Sequence, residues 1–324
     1  MKISNKIEKV QDFNFFNNEL VLKTTNDDIY KGNIKFSFKG RPYAILGNRN
    51  FCDIQEEEVD FYDLGFNQLT NIKKKGVIAG SRVFNTDYFS IRWEDNKGND
   101  FSSVYQNGKE LKVYEDFMGR FLNSEYLITF NDYDATLITL FHNIIKPEFL
   151  WQYTLSEGFT IFKQPQIVDN VLFFDSFKNG NEENFVVGLD IKTGEVLWQL
   201  LFKIPYKEQL LATTLHKENK LCYGYLGNLY QIFNPISGKI VLEKEMNEKI
   251  NPYTNAIYDN KLWFVSGKYE ECKFGYINLA NNELELLQDF PQEDDETFEI
   301  VYHQKKLYLR GKYYNNLYIF EREE

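Results

Sequence analysis

A repeat of 44 residues constrains the fold of this chain more than any other feature of its sequence. The segments "LDIKTGEVLW", "FNPISGKIVL" and "INLANNELEL" align so that Asp190, Asn234 and Asn278 lie 44 residues apart at each step. In every copy a short polar turn separates two apolar runs. Repeats of this length build folds in which each unit buries its apolar surface against its neighbours. We therefore expect a row of similar units.

The turn of each repeat predicts an antiparallel hairpin. Gly194, Gly238 and Asn282 occupy the same position of the turn, and both residue types adopt positive φ at little cost. The Asp or Asn that opens each turn can bind its own backbone two residues further on. Gly194, Gly238 and Asn282 are therefore predicted to be structural turn residues.

A second hairpin precedes each of these turns, so each unit has four strands, which we call a to d. Its signature is a polar pair followed by apolar residues, as in "DNVLFF", "ENKLCY", "DNKLWF" and "QKKLYL". Weaker copies occur earlier in the chain. Seven units are predicted, near residues 34–74, 79–116, 119–157, 158–203, 204–247, 248–290 and 295–324.

The seventh unit ends before a fourth strand, and the N-terminal region offers a replacement. "NNELVL" (17–22) matches "NNELEL" (281–286), the last turn and fourth strand of the sixth unit. We expect residues 18–25 to complete the last unit, because such a closure leaves no open sheet edge. The predicted fold is all-β: one domain, residues 1–324, forming a seven-bladed β-propeller of four-stranded antiparallel blades closed by an N-terminal strand.

The segment "GLDIKTGEVLW" resembles the repeats of PQQ-like, or quinoprotein-type, β-propellers. Trp151 and Trp198 occupy its Trp position, which becomes Leu242 and Leu286 in later copies. The resemblance implies a propeller without the enzymatic features of quinoprotein dehydrogenases, which are usually longer, exported and calcium-bound. No cofactor and no metal are therefore predicted. The family also includes outer-membrane assembly lipoproteins, which need a lipidated N-terminal Cys, whereas the first Cys here is Cys52.

Charge and composition limit the classes of partner. The chain has 48 acidic and 37 basic residues, with a net charge of -11. Such a surface disfavours nucleic acid, whose phosphates need basic residues. The N-terminus shows no signal peptide, and no apolar run has the length of a membrane helix. The three cysteines form no C-x-x-C pair, which is typical of a reducing compartment. We expect a cytoplasmic protein that binds neither nucleic acid nor membrane.

Motifs of known chemistry are missing from the sequence. It contains no phosphate-binding glycine loop, no G-x-S-x-G and no EF-hand. His216 and His303 follow equivalent first strands, either as a metal-binding or acid–base pair or as unrelated turn residues. We favour the second interpretation, because a metal site needs more ligands than two. Asp132 and Asp134 could serve glycoside hydrolysis, but close acidic pairs arise by chance in so acidic a chain.

The missing chemistry favours a non-enzymatic protein-interaction module. Its loops would present an acidic propeller face to a basic protein partner, and an immunity or antitoxin-type protein is one version of this hypothesis. The alternative is a carbohydrate-active hydrolase or lyase with a site at the central channel. The candidate partner-binding residues are acidic loop residues and two tyrosines: Glu56, Glu57, Glu58, Asp132, Asp134, Glu270, Glu271, Glu293, Asp294, Asp295, Glu296, Tyr313 and Tyr314.

Overall fold

The computed structural model of the protein describes most of the chain. The residues outside the description are 46–49, 56–57, 75, 84–87, 107–108, 116–118, 124, 131–135, 162–164, 179–182, 204–213, 251, 267–271, 291–297 and 323–324. The described part consists of β-strands joined by turns and loops. It contains no helix long and apolar enough to cross a membrane.

The described strands form eight antiparallel sheets, numbered 1 to 8 in chain order. The N-terminal strand is β1 (Lys2–Ile7). Sheet 1 contains β2 (Val10–Phe16), β3 (Glu19–Thr24), β4 (Ile29–Lys31) and β5 (Ile34–Lys35); sheet 2 contains β6 (Arg41–Ile45), β7 (Asn50–Ile54), β8 (Glu58–Asp63) and β9 (Gln68–Lys73); sheet 3 contains β10 (Val77–Val83), β11 (Tyr88–Glu94), β12 (Asp100–Gln106) and β13 (Lys109–Glu115); sheet 4 contains β14 (Gly119–Phe121), β15 (Tyr126–Phe130), β16 (Leu137–His142) and β17 (Glu148–Thr154).

The later sheets follow the same order with small departures. Sheet 5 contains β18 (Thr160–Ile161), β19 (Gln166–Val168), β20 (Val171–Phe177), β21 (Glu183–Asp190) and β22 (Val196–Lys203); sheet 6 contains β23 (Thr214–His216), β24 (Leu221–Asn234) and β25 (Lys239–Ile250); sheet 7 contains β26 (Pro252–Tyr258), β27 (Lys261–Ser266), β28 (Lys273–Asn278) and β29 (Glu283–Asp289); sheet 8 contains β30 (Phe298–His303), β31 (Lys306–Gly311), β32 (Leu317–Glu321) and β1. In sheet 5 both β18 and β19 pair with β20, and in sheet 6 the first part of β24 pairs with β23 and the second part with β25.

The chain forms two compact units. The C-terminal unit contains Met1–Glu8, Asn131–Ile138 and Leu150–Glu324, and the N-terminal unit contains Lys9–Phe130 and Thr139–Phe149. In the N-terminal unit, Phe36 packs edge-on against Phe51 and Tyr62 at 4.8 and 4.7 Å between ring centroids. The organisation of residues 1–324 as one domain stays a prediction.

Apolar clusters between neighbouring sheets form the core of the C-terminal unit. One cluster joins Val171 and Phe173 of sheet 5 with Cys222 and Phe233 of sheet 6. Similar clusters join sheet 6 with sheet 7 and sheet 7 with sheet 8. A middle strand such as β20 is thus buried on both faces, whereas the outer strand β29 is mostly exposed or half-buried. This explains the continuous apolar runs in the second strand of each repeat, since both of its faces meet a neighbour.

The prediction of seven blades is wrong, because the described residues form eight sheets. Residues 18–25 do not complete the last sheet: β3, which spans most of them, is the second strand of sheet 1 and pairs with β2 and β4. Sheet 8 is completed by β1, whose Lys2 and Ile7 pair with Glu321 and Leu317. An N-terminal strand does complete this sheet, but it lies closer to the start of the chain than the sequence indicated.

Two kinds of tight turn explain the error. The a–b turn of sheet 7 has two consecutive residues with positive φ, Asp259 at 51° and Asn260 at 52°. The c–d turn of the same sheet has one, Asn282 at 58°. Asn17 at 49° and Asn18 at 67° belong to the first kind. Two positive φ angles suit the twist of a two-residue hairpin. Because Asn is suited to both kinds of turn, the similar sequences of residues 17–22 and 281–286 form different turns, an a–b turn in sheet 1 and a c–d turn in sheet 7.

Candidate functional site

The connections of the C-terminal unit fall at two ends of its sheets. Successive antiparallel strands reverse direction, so a–b and c–d turns share one end, the turn end, and b–c and d–a connections share the other, the loop end. The Thr254 hydroxyl, near the start of β26, donates a hydrogen bond to the carbonyl of Phe298 at the start of β30. The loop ends of sheets 7 and 8 are therefore adjacent.

At the turn end, the c–d turns contact a Trp of the preceding sheet. Gly194 and Gly238 have φ of 75° and 66°. A Cβ on Gly194 would lie 2.6 Å from Cγ of Trp151, and a Cβ on Gly238 would lie 2.4 Å from Cγ of Trp198. Both contacts are shorter than a Cβ tolerates. Glycine at these positions is therefore required by the Trp as well as by the positive φ.

The third c–d turn has a different pair of residues. Asn282 adopts a φ of 58°, and the residue that corresponds to Trp151 and Trp198 is Leu242. The Asn282 side chain accepts a hydrogen bond from the Tyr230 hydroxyl at 2.9 Å. The smaller Leu is thus paired with a turn residue that has a side chain, which indicates that the two repeat positions vary together.

The loop end of sheet 8 exposes two aromatic side chains. Tyr313 and Tyr314 follow β31 in a turn closed by the Gly311 N–H, which donates to the Asn316 carbonyl at 2.9 Å. Their rings meet edge-on at 4.8 Å between centroids. Tyr313 is 75% exposed and Tyr314 is 45% exposed. Large exposed aromatics on a short turn are a feature of binding surfaces.

The candidate acidic residues of this unit lie outside the described residues, but the residues that flank them lie together. The Phe290 N–H, just before 291–297, donates to the carbonyl of Cys272, just after 267–271, at 2.8 Å. Phe298, just after 291–297, pairs with Gly311 beside the tyrosine turn. The flanking residues Cys272, Phe290 and Phe298 therefore lie at the loop end. The candidates outside the described residues are Glu56, Glu57, Asp132, Asp134, Glu270, Glu271, Glu293, Asp294, Asp295 and Glu296.

Glu58 is the acidic candidate that the structure describes, and it belongs to the N-terminal unit. Its carboxylate accepts a hydrogen bond from the Asn71 amide at 2.5 Å and pairs with Lys73 at 3.3 Å. The hydrogen bonds from Asn71 and Lys73 hold the pKa of Glu58 below its ordinary value.

The two equivalent histidines end the first strands of their sheets. His216 closes β23 and His303 closes β30. The His216 Nδ1 accepts a hydrogen bond from the Asn219 N–H at 3.4 Å, and the residue lines a groove of about 790 Å³ between the a–b turns of sheets 6 and 7. Among the described residues, no three His, Cys, Asp or Glu side chains lie close enough to hold a metal ion.

A smaller pocket lies between sheets 7 and 8 towards the turn end. Its volume is about 180 Å³. Trp263 stacks on Tyr302 at 5.1 Å between centroids with an interplanar angle of 21°. The Lys261 ammonium lies 5.3 Å from the ring centroid of Tyr276 and 6.0 Å from that of Tyr302. No sequence pattern indicates this pocket, because its aromatic residues are ordinary core positions of separate strands.

Comparison with known proteins identifies the fold class. No family model matches the chain, and no curated protein is similar to it in sequence. Solved structures do match: BamB from Moraxella catarrhalis, with 11% identity, 99% coverage of both chains and a TM-score of 0.59; Sqt1 from Saccharomyces cerevisiae, with 11% identity, 98% coverage of this chain, 97% of that one and a TM-score of 0.60; and the C-terminal WD40 domain of Sif2, with 8% identity, 100% coverage of this chain, 98% of that one and a TM-score of 0.62.

These similarities confirm an all-β propeller fold of antiparallel sheets. At 8–11% identity they concern the fold alone, because one fold supports many functions. The assignment to the PQQ-like family in particular is not confirmed, and it remains a resemblance of individual repeats. The chain is therefore a β-propeller whose described sheets number eight.

Proposed function

We propose that the protein is a non-enzymatic interaction scaffold that binds a basic protein at the loop end of its C-terminal unit. The observation that supports this proposal is the pair Tyr313 and Tyr314, of which Tyr313 is 75% exposed. Tyr has a large apolar ring and one hydroxyl, and it is enriched among residues that dominate binding energy.

The acidic sequence of residues 291–297 supports a basic partner. Residues 291–297 contain Glu293, Asp294, Asp295 and Glu296, and the flanking Phe298 pairs with the residue that precedes the tyrosine turn. Acidic residues on a binding surface attract a basic partner and speed its capture. An immunity or antitoxin-type role is one form of this proposal, and its support is the same charge pattern.

Truncation of the tyrosines tests the proposal. The full-length chain is used to capture its partner from native cells, and the binding of the isolated partner is then measured for Tyr313→Ala, for Tyr314→Ala and for Phe149→Ala. Phe149 is the matched control, because it is an aromatic side chain with 60% exposure on strand β17. We expect Tyr313→Ala to weaken binding by roughly tenfold or more, with Phe149→Ala close to the wild type.

The charge part of the proposal has its own test. The change of residues 293–296 to Lys should slow association, most clearly at low salt, where charges are least screened. A partner that is acidic, or an association rate that responds to neither the reversal nor the salt, would contradict the basic-partner proposal. If Tyr313→Ala and Phe149→Ala weakened the binding of the partner equally, the proposal that the partner binds at the loop end would be contradicted.

A further inference from the structure

The pocket between sheets 7 and 8 has a charge opposite to that of the whole chain. Among the described residues, three cationic side chains line it: Lys261, Lys305 and Arg322. One carboxylate, Glu285, also lines it and accepts hydrogen bonds from Asn278 at 2.8 Å and from Asn281 at 3.0 Å. The lining is therefore net positive, although the chain has a net charge of -11.

Two of these cations are exposed. Lys261 pairs with Asp259 at 3.2 Å. Lys305, in the a–b turn of sheet 8, and Arg322, after β32, form no ion pair within the described part of the chain. Two cations at the mouth of one pocket favour an anionic group, and a guanidinium can bind both oxygens of a carboxylate.

The wall of the pocket is aromatic. Trp263 is 3% exposed and lies in the pocket wall with Tyr276 and Tyr302. The volume of about 180 Å³ is similar to that of an engineered cavity of about 150 Å³ that binds benzene, so the pocket suits a small molecule. An apolar wall beneath a cationic mouth matches a ligand with a short apolar body and one anionic end.

We propose that this pocket binds a small monocarboxylate with an aromatic or short apolar body. The carboxylate lies between Lys305 and Arg322, and the apolar body packs against Trp263 and Tyr302. This site is at the turn end, so the proposal does not depend on protein binding at the loop end.

The indole of Trp263 reports on the pocket. Its Nε1 is buried and has no hydrogen-bond partner within the described part of the chain, so its N–H resonance is sensitive to any change beside it. The test uses the full-length protein labelled with ¹⁵N at Trp and follows the indole signals by NMR. The signal is assigned with Trp263→Phe, or through the ring-current change caused by Tyr302→Leu if Trp263→Phe does not fold.

Three probes separate the parts of the proposal: benzoate, its neutral analogue benzamide, and inorganic phosphate. We expect benzoate to shift the Trp263 signal saturably, and Lys305→Ala or Arg322→Ala to weaken its binding by roughly fivefold each. Lys192→Ala is the control, because Lys192 is an exposed lysine of the turn end that does not line the pocket.

Each other outcome contradicts the proposal in a defined way. If benzamide shifted the Trp263 signal as much as benzoate does, the cations would not contribute to binding. If phosphate shifted the signal and benzoate did not, the apolar wall would not contribute. A shift that does not saturate, or that Lys192→Ala weakens as much as Arg322→Ala does, reduces the effect to general screening of charge. Absence of any shift at Trp263 shows that no carboxylate of this size enters the pocket.

Discussion

The two ends of the C-terminal unit are built differently. At the turn end, backbone hydrogen bonds and Trp–Gly contacts fix two c–d turns: the N–H groups of Gly194 and Gly238 donate to the carbonyls of Asp190 and Asn234 at 2.8 Å. At the loop end, Tyr313 is largely exposed on a turn closed by a backbone hydrogen bond from Gly311. The comparison teaches that packing against a Trp restricts the residue type at the turn end, whereas the tyrosine turn at the loop end leaves its aromatic side chains exposed.

Within the turn end, two equivalent tryptophans also differ. The Trp151 Nε1 donates to the Ile191 carbonyl at 2.9 Å, whereas the Trp198 Nε1 has no hydrogen-bond partner within the described part of the chain. The Ile191 N–H donates to the Asn170 carbonyl at 2.9 Å and so ties the c–d turn to the a–b turn. Pro235 stands at the equivalent position of the next repeat and cannot donate such a bond. The second turn therefore lacks the tie that places a carbonyl opposite the indole.

The largest change in stability is expected from Gly238→Val at the turn end. The new Cβ would lie 2.4 Å from Cγ of Trp198, at a φ of 66°. Strain and overpacking together should lower the free energy of unfolding by about 3 kcal/mol. Urea unfolding measures the loss, with the exposed neighbour as the control in Lys239→Ala. If both changes cost the same few tenths of a kcal/mol, the turn does not constrain the sheet.

A smaller change in stability is expected when each of the two tryptophans is replaced by phenylalanine. Trp151→Phe removes an indole that donates a hydrogen bond, and Trp198→Phe removes one that does not. The first change should therefore destabilise the protein by about 1 kcal/mol more than the second. Thermal and urea unfolding of the two variants provide the measurement. A reversed order would show that packing, rather than the hydrogen bond, distinguishes the two positions.

A third effect depends on pH. The hydrogen bond from the Thr193 backbone, opposed by partial burial and assisted by the Lys192 backbone, holds the pKa of Asp190 below its ordinary value. A lowered folded pKa stabilises the protein above the unfolded pKa, and this contribution is lost as the pH falls through the folded pKa. Asn234 accepts the equivalent backbone bonds from Ile236 and Ser237 without a charge.

Exchange of these two residues should therefore move the acid sensitivity from one turn to the other. We expect Asp190→Asn to reduce the loss of melting temperature below about pH 4, and Asn234→Asp to increase it. The measurement is the melting temperature of each variant as a function of pH. Parallel curves for both variants and the wild type would show that this turn has no part in acid unfolding.

The smallest effect on stability is expected at the loop end. Tyr313→Ala removes a side chain that is 75% exposed, and surface changes of this kind usually alter stability by less than about 0.5 kcal/mol. Urea unfolding of Tyr313→Ala and Gly238→Val under the same conditions compares the two ends directly. A loss at Tyr313 as large as that at Gly238 would remove the distinction between them.

Much of the fold could be predicted from the sequence, because repeated turns and apolar runs mark equivalent strands. The strand β1, "KISNKI", escaped detection because it is polar and mostly exposed; a strand at the outer edge of a sheet does not need an apolar pattern. Asn17 and Asn18 form an a–b turn because both have positive φ, and the sequence alone does not specify these two angles. The fold class was thus predictable, and the number of sheets was not.

The candidate site was predictable only in part. The tyrosine pair and the acidic segments are local in sequence, so composition could find them. The pocket between sheets 7 and 8 brings together Lys261, Trp263, Tyr302, Lys305 and Arg322. Their proximity results from the packing of sheet 7 against sheet 8, which no local pattern shows.

A photoreactive phenylalanine analogue at residue 313, compared with the same group at residue 192, tests the central claim most directly. Residue 313 lies at the loop end, and residue 192 is an exposed position in the c–d turn of sheet 5 at the turn end. Cross-linking is performed in native cells, and the adducts are identified by mass. We predict a discrete adduct with a basic protein at position 313, absent at position 192 and weakened when residues 293–296 are changed to Lys. The same adduct at both positions, or one at 192 alone, would contradict the assignment of the loop end as the binding face.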